Sequence, residues 1–294
     1  MNYTSAAIIY NPKSTGSSKK LAEKFKKSLL ADFPALDVQL KPTEYAGHAE
    51  KLAYELSKAS KRPLIFSSSG DGGYHEVING AMKAQKEGFS PVTGVLPAGN
   101  ANDHYHNLHD EDVIQMIHNG KTKTIDLLTI SYVSDRKKQL RYAHSYIGFG
   151  LTPAVSEELN KTKLNKLKES WLVLKTIVKL KPVILKIRMR TRKYDSIIFS
   201  NVDRMSKYFN VSQPSHIADG KFEVTIFTRR NKLKLLMLML ESSFVHLKED
   251  LQTSKFKLQT THKTIAQADG EIIPIDAKSR VVVSIDKQTL NCLV

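Results

Sequence analysis

The first third of the chain alternates short apolar runs with helical segments. The apolar runs Ala6–Tyr10, Pro63–Phe66 and Pro91–Leu96 each stop at a cluster of glycine, asparagine, proline or serine. Apolar residues at helical spacing lie within Ser18–Leu30, and a second helix is predicted at Tyr74–Lys86. Strands that alternate with helices at intervals of about 30 residues are typical of βαβ units. The pattern therefore predicts a parallel, doubly wound α/β sheet.

Beyond Asp126 the pattern changes to short segments rich in β-branched and aromatic residues. A chain of 294 residues exceeds the usual domain of roughly 100 to 200 residues, so we expect two domains. Their predicted bounds are 1–126 for an α/β domain and 127–294 for a β-rich domain. The alternative is that the last residues return to the first domain. Helical segments are predicted at Ser156–Leu180 and Leu233–Lys248. The predicted strands of the second domain are Leu127–Val133, Gln139–Ile147, Pro182–Met189, Ser196–Val202, Lys221–Phe227 and Arg280–Ile285.

Charge and cysteine content narrow the classes of partner and compartment. The chain has 45 lysines and arginines against 29 acids, a net charge of +16, which favours an anionic partner such as nucleic acid, membrane lipid or nucleotide. Its single cysteine, Cys292, allows no internal disulfide and is expected to be a small buried hydrophobe. The sequence begins without a basic, apolar leader and contains no run long enough to span a bilayer. We therefore expect a cytoplasmic protein.

A glycine-rich turn follows the second apolar run, in the segment SSSGDGGYHEVINGA at residues 67–81. Backbone N–H groups at the start of a helix carry partial positive charge and suit a phosphate group. Glycine is required because a Cβ would block the close approach of the phosphate. A plain glycine turn between a strand and a helix is the alternative.

A second turn, PAGNAND at residues 97–103, follows the next apolar run. Ligands of open α/β sheets bind beyond the carboxyl ends of the strands, so Asp71 and Asp103 are expected to face one crevice. Two aspartates near phosphates suit Mg²⁺, which prefers a few carboxylates together with water and phosphate oxygens. Ordinary capping of a helix by Asp103 is the alternative.

The third turn is Asp269-Gly270-Glu271, which precedes the apolar run IIPI. Its two carboxylates could act as a general base and its partner, removing a proton from an attacking hydroxyl. A hairpin turn without a catalytic role is the alternative.

These turns, in this order, resemble the catalytic domain of the diacylglycerol kinase family, which also contains sphingosine kinases and bacterial lipid kinases. Residues 11–16 correspond to its NPxSG motif with one extra residue, 69–73 to GGDGT, 97–103 to PxGTxND and 269–271 to DGE. The resemblance covers most of the chain. It implies a three-layer α/β nucleotide-binding domain, as in NAD kinases and diacylglycerol kinases, followed by a β-sandwich-like domain.

The resemblance also implies an activity and its cofactors. The protein would use ATP and Mg²⁺ to phosphorylate a lipid hydroxyl, most simply converting diacylglycerol to phosphatidic acid. Asp71 and Asp103 would join a Mg²⁺ and water network on the phosphates, and Asp269 and Glu271 would be the general base and its partner. The residues that would contact the nucleotide are Asn11, Ser14, Gly16, Thr43, Gly70, Asp71, Gly72, Gly73, Glu76, Asn100, Asn102 and Asp103.

A structural Mg²⁺ in the second domain is a further implication of the resemblance. It would use the Asp219 side chain and the carbonyls of His216 and Lys221. The sequence departs from the family pattern at two nucleotide positions, since Gly73 and Asn100 stand where the family has threonine. Backbone N–H groups and the Asn100 amide remain able to bind phosphate.

Residues 157–193 contain twelve lysines and arginines against three glutamates, which is +9 of the total +16. Leu164, Leu167, Trp171, Leu174 and Val178 recur there at helical spacing. Such a basic amphipathic helix can lie on an anionic membrane, and docking on its own domain is the alternative. We expect peripheral association with the inner membrane face through this segment.

Other functions fit parts of the sequence. A different acceptor is one alternative, either a sphingoid or, as in NAD kinases, a soluble metabolite. A non-catalytic nucleotide-binding regulator is another, and it fits the loss of the threonines. Nucleic acid is not an expected partner, because the basic and aromatic motifs that usually bind it are missing. A homodimer is compatible with the sequence.

Overall fold

The computed structural model describes residues 3–14, 17–99, 102–108, 112–161, 166–202, 204–205, 209–210, 217–228 and 251–293. The chain forms two compact units, one of Met1–Asp126 with Lys287–Val294 and the other of Leu127–Asp286. Within the described residues, no helix combines the length and the apolar character needed to cross a membrane.

The first unit has helices packed on a parallel sheet. Strand β1 (Ser5–Tyr10) pairs with β2 (Asp37–Pro42) on one side and β3 (Leu64–Ser69) on the other, and β3 pairs with β4 (Val92–Pro97), all in parallel. β1, β3 and β4 are buried along nearly their whole length, as expected of parallel strands covered on both faces. The elements are β1 Ser5–Tyr10, α1 Ser18–Asp32, β2 Asp37–Pro42, α2 His48–Ser57, β3 Leu64–Ser69, α3 Asp71–Lys86, β4 Val92–Pro97, α4 Asp103–Leu108 and α5 Val113–His118.

The core of the first unit joins α1 to this sheet. Ala22, Phe25 and Leu29 lie at helical spacing on the buried face of α1, and the Phe25 ring meets Phe66 of β3 edge to face at 4.8 Å between centroids. Because the four strands are parallel, their carboxyl ends lie at one edge. The turns that follow β1, β2, β3 and β4 therefore meet there.

The second unit is built mainly of antiparallel strands around one apolar core. Leu128, Phe149, Phe199, Leu258 and Val283 are fully or almost fully buried members of that core. The elements are β5 Thr122–Ser134, β6 Lys137–Ala143, β7 Tyr146–Gly150, α6 Leu151–Lys161, α7 Lys166–Lys179, β8 Val183–Ile187, β9 Arg190–Ser200, β10 Arg204–Met205, β11 Phe209–Asn210, β12 Phe222–Thr228, β13 Leu251–Thr253, β14 Lys255–Thr260, β15 Thr264–Ala268, β16 Glu271–Ile275 and β17 Arg280–Leu293. The predicted fold class, an α/β domain followed by a β-rich domain, is confirmed.

The last residues of β17 belong to the first unit. Cys292 is the partner of Thr93 in a parallel pairing of β17 with β4. The Asn291 carbonyl accepts a hydrogen bond from the Thr93 hydroxyl at 3.3 Å, and the Gln288 N–H donates to Asp126 Oδ1 at 2.7 Å. These contacts extend the parallel sheet beyond β4.

Three predicted elements differ in the structure. The predicted strand Gln139–Ile147 is two strands, because the N–H groups of His144 and Ser145 donate to a distant carboxylate, that of Asp269, between them. The predicted helix Ser156–Leu180 is found as α6 and α7. The predicted strand Pro182–Met189 ends earlier, at Ile187, and Met189 lies in the turn after β8. The predicted helix Leu233–Lys248 lies outside the described residues.

Candidate functional site

The turn after β1 is tied both to α1 and to β3. Asn11 Oδ1 accepts the Lys13 N–H at 2.9 Å, and the Asn11 carbonyl accepts the Ser14 N–H at 3.2 Å. The Asn11 N–H donates to Ser18 Oγ at 3.2 Å, and the Ser18 hydroxyl donates to the Ser68 carbonyl at 2.5 Å. Ser18, which the sequence analysis did not single out, therefore holds the first turn against the neighbouring strand.

The turn after β2 lies beside the first one. The Thr43 N–H donates to the Tyr10 carbonyl at 2.8 Å, continuing the parallel pairing by one residue. Thr43 and Ser14 are both half-buried. Gly16, the other predicted nucleotide residue of these turns, lies outside the described residues.

The turn after β3 leads directly into α3, the longest helix of the first unit. Gly70 is its N-cap residue and has extended backbone angles and no capping side chain. Its carbonyl accepts the Tyr74 N–H at 3.1 Å. The backbone N–H groups of Gly72 and Gly73 belong to the first turn of the helix, where they have no partner within the helix and carry the positive end of its dipole. This arrangement can bind a phosphate oxygen.

Beneath this turn, α3 is fixed to β4 by Tyr74. The Tyr74 side chain is fully buried, and its hydroxyl lies 3.0 Å from Thr93 Oγ1. Burial raises the pKa of Tyr74 well above its ordinary value. The hydroxyl therefore stays protonated and supports the helix rather than transferring protons.

Gly73 has no room for a side chain. A Cβ at this position would overlap Ser69 Oγ and lie 2.6 Å from Ser69 Cβ. The Ser69 hydroxyl shares a 2.6 Å hydrogen bond with the Ser67 hydroxyl and donates to the Gly70 carbonyl at 2.9 Å. The space beside the first turn of α3 is thus filled by a serine hydroxyl from the end of β3.

The turn after β4 packs directly on the glycine turn. A Cβ at Gly99 would overlap Gly70 Cα and lie 2.9 Å from the Gly70 nitrogen. The side-chain amide of Asn102 accepts the Gly99 N–H at 2.9 Å and donates to the Gly99 carbonyl at 3.0 Å. Asn102 therefore shapes the turn with the same amide group that was predicted to contact the nucleotide. Asn100 lies outside the described residues.

The two predicted magnesium carboxylates lie at the starts of α3 and α4. Asp71 Oδ1 accepts the His104 N–H at 3.2 Å, and Asp103, the residue before His104, is almost completely buried. This hydrogen bond brings Asp71 to the turn that carries Asp103. Hard oxygen ligands of this kind, near a helix N-terminus that can bind phosphate, fit the preferences of Mg²⁺.

Glu76 has a structural contact that the sequence did not reveal. One of its carboxylate oxygens accepts the Gly47 N–H at 2.8 Å and the other accepts the Ala49 N–H at 3.0 Å. Gly47 is the N-cap residue of α2, so the carboxylate caps α2 from the side of α3. Its predicted contact with the nucleotide stays a prediction.

The Asp269-Gly270 pair forms a two-residue hairpin turn between β15 and β16. Ala268 and Glu271 are paired across it, and both turn residues have positive φ angles, 48° and 98°. Such angles are typical of a type I′ turn. Asp269 and Gly270 therefore form the hairpin turn that was the alternative interpretation of the sequence. A hairpin turn at this position is compatible with a catalytic role for its carboxylates.

The Asp269 carboxylate is only 1% exposed and is surrounded by donors. Oδ1 accepts the N–H groups of Ser145 at 2.9 Å and Tyr146 at 3.1 Å. Oδ2 accepts the His144 N–H at 2.8 Å and lies 3.5 Å from His144 Nε2. By contrast, Glu271 at the start of β16 is exposed. Asp269 therefore anchors the hairpin to the β6–β7 connection, while Glu271 is the carboxylate that solvent can reach.

The predicted structural metal site is only partly within the described residues. Asp219 is exposed and its Oδ1 accepts the Lys221 N–H at 2.9 Å, while His216 lies outside them. In the part of the chain that the structure describes, no three His, Cys, Asp or Glu side chains gather as metal ligands would. A site built largely from carbonyl oxygens stays a prediction.

Residues 5–130 match the family model of the diacylglycerol kinase catalytic domain. A search of curated proteins finds no match.

Two similar solved structures come from Bacillus anthracis strain Sterne. A candidate diacylglycerol kinase has a TM-score of 0.71 at 17% identity, with 100% of this chain and 98% of that chain covered. A structure described as a diacylglycerol kinase has a TM-score of 0.69 at 16% identity, with 100% and 97% covered. At such identity the likeness shows the fold. The family model over residues 5–130 agrees with the resemblance that the sequence motifs indicate.

Proposed function

We propose that the protein is an ATP-dependent lipid kinase that phosphorylates a lipid hydroxyl, with diacylglycerol as the leading acceptor and phosphatidic acid as its product. The observation that carries this proposal is the packing of the turn at Gly99 on the turn at Gly70. Both turns follow parallel strands inside a region that matches the diacylglycerol kinase catalytic domain. The phosphate-binding end of α3 and two carboxylates thereby meet at one sheet edge.

Phosphoryl transfer depends mainly on positioning and on stabilising negative charge. The N–H groups at the start of α3 would bind phosphate oxygens of ATP, and Asn11 would hold the neighbouring turn in place. Asp71 and Asp103 would hold Mg²⁺, which would neutralise part of the phosphate charge. This role is supported by the hydrogen bond from the His104 N–H to Asp71 Oδ1, which brings Asp71 to the turn that carries Asp103.

We assign the general base to Glu271 and a positioning role to Asp269. The acceptor oxygen would form a bond to the γ-phosphorus while the bond to the bridging oxygen of ADP breaks, and the hydroxyl proton would move to Glu271. A base must reach that proton. The oxygens of Asp269 are already occupied by N–H donors of residues 144–146, so Asp269 supports the turn that presents Glu271.

The membrane would present the lipid acceptor, and α7 supports this part of the proposal. Trp171 is 62% and Val178 56% exposed, and Leu174 is also exposed, whereas Thr176 and Ile177 are buried. The described part of the predicted apolar stripe thus faces solvent. The basic segment 157–193 would attach the protein peripherally to an anionic surface on the cytoplasmic side.

The test incubates purified protein with labelled ATP, Mg²⁺ and a panel of lipids in detergent micelles. We expect a labelled phospholipid, and Glu271→Gln should lower kcat by at least about a hundredfold, the usual size of a general-base contribution. The matched control is Glu55→Gln, an exposed glutamate on α2, which should retain wild-type rates. Absence of any phospholipid product, or full activity of Glu271→Gln, would contradict the proposal.

Asp269→Asn separates the two carboxylates. It should reduce both thermal stability and kcat, whereas Glu271→Gln should leave the melting temperature unchanged. If Glu271→Gln unfolds the protein while Asp269→Asn changes kcat alone, the two roles are reversed. A labelled soluble product such as phosphorylated NAD would favour a soluble-metabolite kinase. ATP binding without turnover would favour a regulator that lacks the threonine hydroxyls at positions 73 and 100.

A further inference from the structure

Six strands of the second unit present one side to the core and the other side outward. They are hydrogen-bonded in the order β6-β5-β17-β14-β8-β9. Leu185, Leu258 and Val281 are core residues on three of them, so the alternate positions point away from the core. We call these fourteen positions the outer face: Ser131, Val133, Lys138, Leu140, Ile184, Lys186, Thr191, Lys193, Lys255, Lys257, Gln259, Arg280, Val282 and Ser284.

The outer face is strongly cationic. Six of its fourteen positions are lysine or arginine, and none is acidic. Four of these lysines and Arg280 are exposed, and Lys186 is half-buried. Within the described residues, the ion pairs of the protein involve none of the six. Their charge is therefore available to an external anion.

Strand register places these cations close together. Lys186 is paired with Gln259, which is paired in turn with Arg280, so two strand spacings, about 10 Å, separate the two charged positions. Lys255 and Lys257 are two residues apart on one strand, about 7 Å. These separations are close to the screening length of about 8 Å at physiological salt. The cations therefore produce one positive potential rather than isolated charges.

An exposed apolar tip lies at the end of the same surface. Ile187 is paired with Arg190, leaving Arg188 and Met189 as the two-residue turn between β8 and β9. Met189 is 85% exposed and stands between two arginines. An apolar tip with flanking cations can enter the boundary between lipid headgroups and acyl chains while its arginines stay at the surface.

We infer that the outer face, with Met189 at its edge, docks on the surface of an anionic phospholipid bilayer. The choice of a bilayer as the partner rests on the proposed lipid-kinase function. It is also favoured by the composition of the face, which intersperses Leu140, Ile184 and Val282 among the cations and has no aromatic residue. Binding of single-stranded nucleic acid depends strongly on aromatic stacking. This surface lies apart from the helical part of the basic segment 157–193 in sequence and includes three cations on β14 and β17.

The test measures co-sedimentation with phosphatidylcholine vesicles that contain or lack phosphatidylglycerol. Lys255→Glu combined with Lys257→Glu should weaken binding to the anionic vesicles by at least about tenfold, given the attraction of each lysine to an anionic surface. The matched control is Lys24→Glu with Lys27→Glu, two exposed lysines on α1, which carries the same change in net charge. Met189→Ser should remove part of the binding that survives at high salt.

Each result decides between definite alternatives. Equal losses of vesicle binding in the two double variants would show that net charge acts alone and would overturn the inference. Wild-type protein that does not bind anionic vesicles would overturn it as well. A loss of RNA binding in the β14 variant with unchanged vesicle binding would assign the face to nucleic acid instead. Lipid phosphorylation in detergent micelles tests the kinase proposal separately. A failure of the outer face to bind vesicles would therefore leave the kinase proposal intact.

Discussion

Ser69 and Gly73 lie side by side at the candidate phosphate-binding turn, and only one of them can carry a side chain. The motif that this turn resembles has glycine at its first position and threonine at its last, whereas this chain has serine first and glycine last. A Cβ at Gly73 would overlap the Ser69 hydroxyl oxygen. The two departures are therefore one coupled exchange, which retains a hydroxyl beside the first turn of α3.

Gly73→Thr tests this coupling at the level of single residues. The new side chain should collide with Ser69 and lower the free energy of unfolding by about 1 to 3 kcal/mol, the usual effect of overpacking. Ser69→Gly in the same protein removes the colliding atoms and should restore most of the loss. A double-mutant cycle in urea, with ATP affinity measured in parallel, gives the coupling. Additive effects of the two substitutions would contradict it.

At the level of elements, α2 and α3 cross at Gly80 with almost no space between them. A Cβ there would overlap the Glu50 carbonyl oxygen and approach Ala53 Cβ to 2.8 Å. The Glu76 carboxylate caps α2 one turn earlier on α3. Because the first turn of α3 is the candidate phosphate site, this crossing also fixes the position of that site.

Gly80→Ala sets two effects of opposite sign against each other. Replacing glycine by alanine inside a helix ordinarily stabilises it by about 1 kcal/mol, but overpacking at the crossing should cost about 1 to 3 kcal/mol. We expect a net loss of unfolding free energy, measured by urea denaturation, together with weaker ATP binding. Gly88→Ala is an unsuitable control because Gly88 has a positive φ angle. Gln85→Ala, at a half-buried position on the same helix, serves instead. A stabilised Gly80→Ala protein would refute the tight crossing.

Sequence patterns predicted those elements whose signal is local. Strands β1, β3 and β4 are buried on both faces and therefore read as continuous apolar runs, while β2, with its largely polar sequence, was not predicted. The glycine and carboxylate turns were visible because few residue types can form them. The break at His144 and Ser145 was not, since its cause is the carboxylate of Asp269, more than a hundred residues later. The same holds for Glu76, whose partners lie on α2.

For the whole molecule, the first unit is completed by residues from the far end of the sequence. Cys292 and Leu293 are fully buried beside β4. Burial raises the pKa of the Cys292 thiol to about 12. The thiolate, which is the reactive form, is therefore suppressed as long as β17 stays in place.

Labelling of Cys292 should consequently report the opening of this strand. A thiol reagent at mildly alkaline pH should modify native protein very slowly and urea-unfolded protein quickly, and one site is modified because the chain has one cysteine. The unfolded thiol ionises at lower pH than the folded one, so stability should fall as the pH rises through and above the ordinary thiol range. Rapid labelling in native buffer would show that the end of β17 is not held in the sheet.

The distant origin of that last strand also sets an order of events during synthesis. Residues 287–294 leave the ribosome after every residue of the second unit. The β4 edge of the α/β sheet therefore lacks its β17 partner while the β-rich unit is synthesised. An unpaired strand edge invites association with other chains. The growing polypeptide is therefore most vulnerable to misassembly while this edge is open, and a chaperone that shields it would act within that interval.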